Sequence, residues 1–105
     1  MTIKNYTPHP VNICNDAGEV IKVFQPEGLV RLTAVTEFYG EIDGIPITNT
    51  KFGKPEGLPE YQNGVYYIVS QIVKSSLSYR YDLLVPAELI RDEKGNVIGC
   101  KSLGK

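Results

Sequence analysis

Ten Gly and seven Pro are scattered along 105 residues, so no element runs far before it meets a breaker. The pieces between them are rich in side chains that suit a pleated surface. Val and Ile together number twenty, with six Thr and seven Tyr. Ala, the strongest helix former, occurs only at positions 17, 34 and 87. The pattern predicts one mainly β domain over residues 1–105, either a small β-barrel or a strongly curved antiparallel or mixed sheet. One short helix is expected at about 71–78.

Charge and hydropathy narrow the function classes. Eleven basic residues face twelve acidic ones, for a net charge of -1. No broad positive field exists to collect phosphates, so a nucleic-acid partner is not expected. No apolar run approaches the roughly 18 residues of a membrane span, and no basic-then-apolar leader opens the chain. A reducing cytoplasm is the expected setting. There Cys14 and Cys100, each in an apolar strand-like context, read as small core residues rather than a disulfide or a zinc site.

Along the chain, Thr2 to Tyr6 reads as a strand that stops at Thr7-Pro8-His9-Pro10. The two prolines hold His9 on a stiff, extended loop. Val11–Cys14 and Glu19–Gln25 flank the turn Asn15-Asp16-Ala17-Gly18 and predict a hairpin. Leu29 to Thr36 alternates, with Val30, Leu32 and Ala34 on one face and Arg31 on the other. Ile45 to Thr50 reads as a half-polar edge strand because of Pro46, and residues 53–64 as a surface loop.

The continuous apolar run Val65–Val69 predicts a central strand covered on both faces. Ser70 then caps a short helix whose Ile72, Val73 and Leu77 share a side. A second hairpin turns at Asp92-Glu93-Lys94-Gly95, where Arg91 is expected to pair with Asp92. The segment Pro26-Glu27-Gly28-Leu29 recurs as Pro55-Glu56-Gly57-Leu58, which ordinary turn chemistry accounts for.

Catalytic constellations are hard to assemble from these residues. His9 is the single histidine, and no Gly-x-Ser-x-Gly turn, phosphate-binding glycine loop or clustered metal ligand set accompanies it. No catalytic residue, cofactor or metal ligand is assigned.

A binding role is better supplied. Tyr79-Arg80-Tyr81-Asp82 sets two aromatic faces, a planar cation and a carboxylate within four residues. Tyrosine stacks on a base, arginine grips phosphate through two N–H groups, and aspartate accepts ribose hydroxyls. The alternative is that both tyrosines pack on the sheet while Arg80 and Asp82 pair locally. Arg31 is a second candidate phosphate contact. Ser70 is a candidate anion contact, while His9 and Asn12 are candidate polar contacts to a base or sugar.

The opening Asn5-Tyr6-Thr7-Pro8-His9-Pro10-Val11-Asn12-Ile13 resembles the start of a family of small bacteriophage and prophage proteins. The likeness continues through Gly57-Leu58-Pro59, Tyr67-Ile68-Val69-Ser70, Arg80, Asp82-Leu83, Pro86, Arg91-Asp92, Gly95 and Val97-Ile98-Gly99. The resemblance implies a phage gene product acting in the host bacterial cytoplasm. By analogy of genome context it implies an anti-defence protein that sequesters a nucleotide-derived signal.

The ligand residues expected on this reading are His9, Asn12, Arg31, Ser70, Tyr79, Arg80, Tyr81 and Asp82. A chain of this length has little wall with which to enclose a charged ligand, so a homo-oligomer is expected to complete the pocket. Two alternatives stand beside it: a module docking on a host protein, and a small enzyme cleaving a nucleotide signal with His9 as acid or base.

Overall fold

Short turns built by Asn, Asp and Gly set the strand ends. A computed structural model describes all 105 residues as eight strands and one helix. The strands are β1 (Thr2–Asn5), β2 (Val11–Cys14), β3 (Val20–Phe24), β4 (Ala34–Ile42), β5 (Ile45–Phe52), β6 (Val65–Ile68), β7 (Leu83–Arg91) and β8 (Val97–Gly104). The helix α1 (Gln71–Ser76) stops two residues short of the expected 78. No helix is long and apolar enough to cross a membrane.

Both expected hairpins form. The Asn15 side chain accepts from the amides of Ala17 and Glu19 at 3.0 Å, and Gly18 takes φ 82° to close the turn. Asp92 repeats the device with the amides of Lys94 and Asn96 at 2.9 Å. Its carboxylate is therefore occupied by backbone. Arg91 accordingly donates to the Gly95 carbonyl at 2.9 Å instead of forming the expected pair with Asp92.

Six strands make one mixed sheet in the order β1-β6-β7-β8-β2-β3. β6 lies between two parallel neighbours, β1 and β7, and α1 sits in the crossover that links β6 to β7. β8 pairs antiparallel with β7 and parallel with β2. The interior position of β6 explains its unbroken apolar run. Tyr67 and Val69 join Val30, Val73, Leu77 and Leu83 in one core, while Ile68 packs with Val11 and Cys100 in another. The ring of Tyr6 meets that of Tyr67 edge-on at 5.2 Å.

The barrel alternative is not realised. The two sheet edges, β1 and β3, touch at one parallel bridge, Asn5 to Pro26, where the Glu27 amide donates to the Asn5 carbonyl at 2.8 Å. The chain leaves β3 at a proline, which has no N–H with which to extend a ladder. The sheet is curved and open, fastened at one point.

That fastening is the fully buried Asn5 side chain. Its Nδ2 donates to the carbonyls of His9 at 2.7 Å and Phe24 at 2.9 Å. Its Oδ1 accepts from the Thr7 amide at 2.9 Å and the Thr7 hydroxyl at 2.6 Å. Every hydrogen-bonding position of the amide is used.

Two expectations about residues 29–58 change. Leu29–Arg31 is not strand. It carries an isolated bridge from Arg31 to Glu56, and Gly57 lies against the Leu29 carbonyl, so the two Pro-Glu-Gly-Leu segments meet there. The strand begins at Ala34, pairs antiparallel with β5, and forms a separate two-stranded ribbon. At its tip Asp43 (φ 52°) and Gly44 (φ 79°) both adopt positive φ, as a tight two-residue hairpin turn requires.

Candidate functional site

An open groove of about 340 Å³ lies between the Pro-flanked loop after β1, the start of α1 and the β8 hairpin. Its polar lining comes from Thr7, His9, Asn12 and Ser70, and its apolar lining includes Val11, Val69, Pro86 and Ile98.

Each polar group is placed by local structure. His9 sits between Pro8 and Pro10, and its carbonyl accepts from Asn5 Nδ2, with Thr7 Oγ1 at 3.0 Å sharing its one proton between this carbonyl and Asn5 Oδ1. The Asn12 amide donates to the Ile98 carbonyl at 3.1 Å, tying β2 to β8. Ser70 Oγ accepts from the Val73 amide at 3.3 Å as the helix cap. That bond uses the amide an anion would otherwise meet, and α1 is only six residues long, so Ser70 offers its hydroxyl alone.

Beneath the groove, β2 and β8 approach closely over Gly99. A Cβ at Gly99 would lie 2.7 Å from Cys14 Sγ and 3.2 Å from the Asn12 carbonyl oxygen. Cys100 is buried beside it, and burial pushes its thiol pKa up, so it stays protonated and poorly nucleophilic. His9 is the other titratable side chain lining the groove. The Ser70 hydroxyl shares the groove with His9 but is engaged as the cap of α1, and no three His, Cys, Asp or Glu side chains cluster to hold a metal ion.

The residues expected to form one site divide into three places. His9, Asn12 and Ser70 meet in the groove. Tyr81 and Asp82 border a different cleft of about 90 Å³ near Tyr66 and Lys105. Arg31, Tyr79 and Arg80 line neither of these two cavities.

Arg80 and Asp82 are bound to each other. Arg80 Nε donates to Asp82 Oδ1 at 2.8 Å and Nη2 to Oδ2 at 2.5 Å, with the Asp82 side chain 1% and the Arg80 side chain 13% exposed. The hydrogen bond to Asp82 raises the Arg80 pKa further and keeps it cationic. This two-pronged pair is a structural clamp at the start of β7. The flanking tyrosines, Tyr79 at 69% and Tyr81 at 80% exposure, point into solvent rather than onto the sheet.

Asn5 and Thr7 are the positioning residues that composition did not single out. Their signal was available in Asn5-Tyr6-Thr7, where an Asx-type turn meets a proline. No known protein family, curated protein or solved structure matches the chain.

Proposed function

We propose that the groove captures a small nucleotide-derived ligand without cleaving it, as a phage-encoded sponge for an immune signal in the host bacterial cytoplasm. One observation carries this reading. His9 and Asn12, three positions apart, converge with Ser70 from far along the chain on one mostly apolar trough. Its volume of about 340 Å³ sits at the small end of ligand sites, which suits a base and its sugar. No Lys or Arg lines it, so the phosphates of such a ligand lie outside, toward solvent or a second subunit. The resemblance of the opening motif to small phage proteins is the ground for the biological setting, and the protonated state of Cys100, the one thiol lining the groove, favours capture over cleavage.

Thermal unfolding in the presence of cyclic dinucleotides and ADP-ribose derivatives tests the proposal. Ligand at a hundred times its Kd adds about 2.7 kcal/mol, a rise of roughly 10 °C for a domain of this size. His9→Ala and Asn12→Ala are expected to remove the rise, and Tyr79→Ala to leave it. Heating the complex should release the ligand intact. A cleaved ligand supports the enzyme reading instead, and no shift with any candidate at millimolar concentration removes the small-ligand idea. The exposed Tyr79 and Tyr81 favour the second reading, docking on a host protein, which a shift-free but partner-binding chain would support.

A further inference from the structure

The β4–β5 ribbon does not pack on the rest of its own chain. Every residue from 34 to 52 is exposed or half-exposed, and Phe38 at 71% and Tyr39 at 79% exposure stand beside open Val35, Ile42, Ile45 and Phe52. Its consequence shows in the dimensions. The radius of gyration is 16.7 Å, against about 13 Å for a compact chain of this length. The accessible surface is 7470 Å², whereas a folded monomer of 11.7 kDa exposes roughly 5,900 Å². The excess of about 1,600 Å² on one chain is about twice the roughly 800 Å² that each partner gives to a standard protein interface. Six large apolar side chains on the ribbon account for roughly half of it, at about 200 Å² for each when fully open.

A two-stranded ribbon is marginal in water unless something covers it. The same chain holds a second uncovered apolar ribbon. β3 is an edge strand, paired with β2 on one side and met by β1 only at its Phe24–Pro26 end, and Val20, Ile21 and Val23 are open on it. An edge of that kind pairs readily with another strand. The charges fit as well. The ribbon carries Glu37, Glu41 and Asp43 against Lys51, and Lys51 is held by Glu37 at 3.3 Å, so its tip is left acidic. β3 carries Lys22, which has no carboxylate partner in its own chain.

The geometry points to a second copy of this chain as the occupant. The β4–β5 arm of each subunit reaches across and lies along the apolar β3 edge of the other, in a two-fold exchange. A second copy is present wherever the first is, which suits a surface left open on every molecule. The two-fold operation uses both uncovered patches at once and leaves no arm free to propagate a filament.

Sedimentation equilibrium of the full chain tests this. The expected mass is twice 11.7 kDa at micromolar concentration. Phe38→Asp on the arm and Ile21→Asp on the edge are each expected to weaken the dimer by roughly thirtyfold or more, while the far-UV circular dichroism keeps its β signature. An equimolar mixture of the two variants keeps one intact arm-to-edge contact, and is expected to form more dimer than either alone. A wild-type chain that stays at 11.7 kDa at 100 µM overturns the proposal and leaves the arm to a different partner. An assembly that survives both substitutions overturns it as well.

Discussion

Replacing Asn5 by Asp changes one atom in the fastening of the sheet and reverses the polarity of half of it. Nδ2 now donates to the His9 and Phe24 carbonyls at 2.7 and 2.9 Å. In Asn5→Asp a carboxylate oxygen takes its place and faces both carbonyl oxygens. Two acceptors lose their donor, at about 1–3 kcal/mol each, and a charge is buried with no cation beside it. At pH 7 the variant is expected to lose at least about 4 kcal/mol. A domain of this kind has only about 5–15 kcal/mol in total.

The pH dependence gives this variant its signature. Burial and the two carbonyls raise the folded pKa of the introduced carboxyl above its unfolded value of about 3.9. A raised folded pKa means the native state is favoured below pH of about 4 and penalised as pH rises toward the folded value. The penalty grows by about 1.4 kcal/mol per unit. Urea unfolding from pH 3 to pH 8, followed by circular dichroism, measures the difference from wild type. Asn5→Ala should lose stability with no such slope. A loss under about 1 kcal/mol at pH 7, or a difference flat in pH, refutes the account of Asn5.

Arg80→Ala strands the buried Asp82 carboxylate and is expected to cost about 3–5 kcal/mol, lowering the Tm by 12 °C or more in calorimetry. A loss near zero would show that the pair behaves like one on the surface. Gly99→Ala forces a methyl toward Cys14 Sγ and should cost about 1–3 kcal/mol in urea unfolding, with weakened Asn12-dependent ligand shifts. The Cys100 pKa is raised, so its contribution is fully present below the ordinary thiol value of 9.0 and is lost as pH rises above that value. Comparing wild type with Cys100→Ala from pH 7 to pH 11 should show a steeper alkaline loss for wild type.

Local signals carried much of the fold. Asn15 and Asp92 build their turns from side chains adjacent in sequence, Ser70 caps its own helix, and the unbroken run at 65–69 marks a strand with two covered faces. The parallel pairings had no such signal. Nothing around Ile13 announces that it lies beside Cys100, because parallel register is set by the crossover and by packing. The arm was partly readable, since Asp43-Gly44 between two β-rich runs is a strong hairpin mark.

At the candidate site, stiffness and side-chain chemistry singled out His9 with Asn12, and Ser70 separately, and all three line one groove. The same chemistry suggested Arg80 and Asp82 as ligand contacts. Their two-residue spacing lets the guanidinium and carboxylate satisfy each other first. Asn5 falls within a segment that reads as strand, and although its turn with Thr7 is local, its partner Phe24 lies nineteen residues away on another strand.

The parallel pairing of β2 with β8 also fixes when the molecule becomes a protein. The N-terminal hairpin joins the ladder of the sheet through β8, with Ile13 beside Cys100, and is otherwise held to β1 only at the Asn5 fastening. Contacts of such sequence separation slow folding, and here they cannot form while the C-terminal strand is still inside the ribosome. β2 therefore waits without its parallel neighbour until the residues Val97–Gly104 have left the ribosome. A chain ending before Val97 lacks the whole of β8, and with it the strand that joins the β2–β3 hairpin to the rest of the sheet.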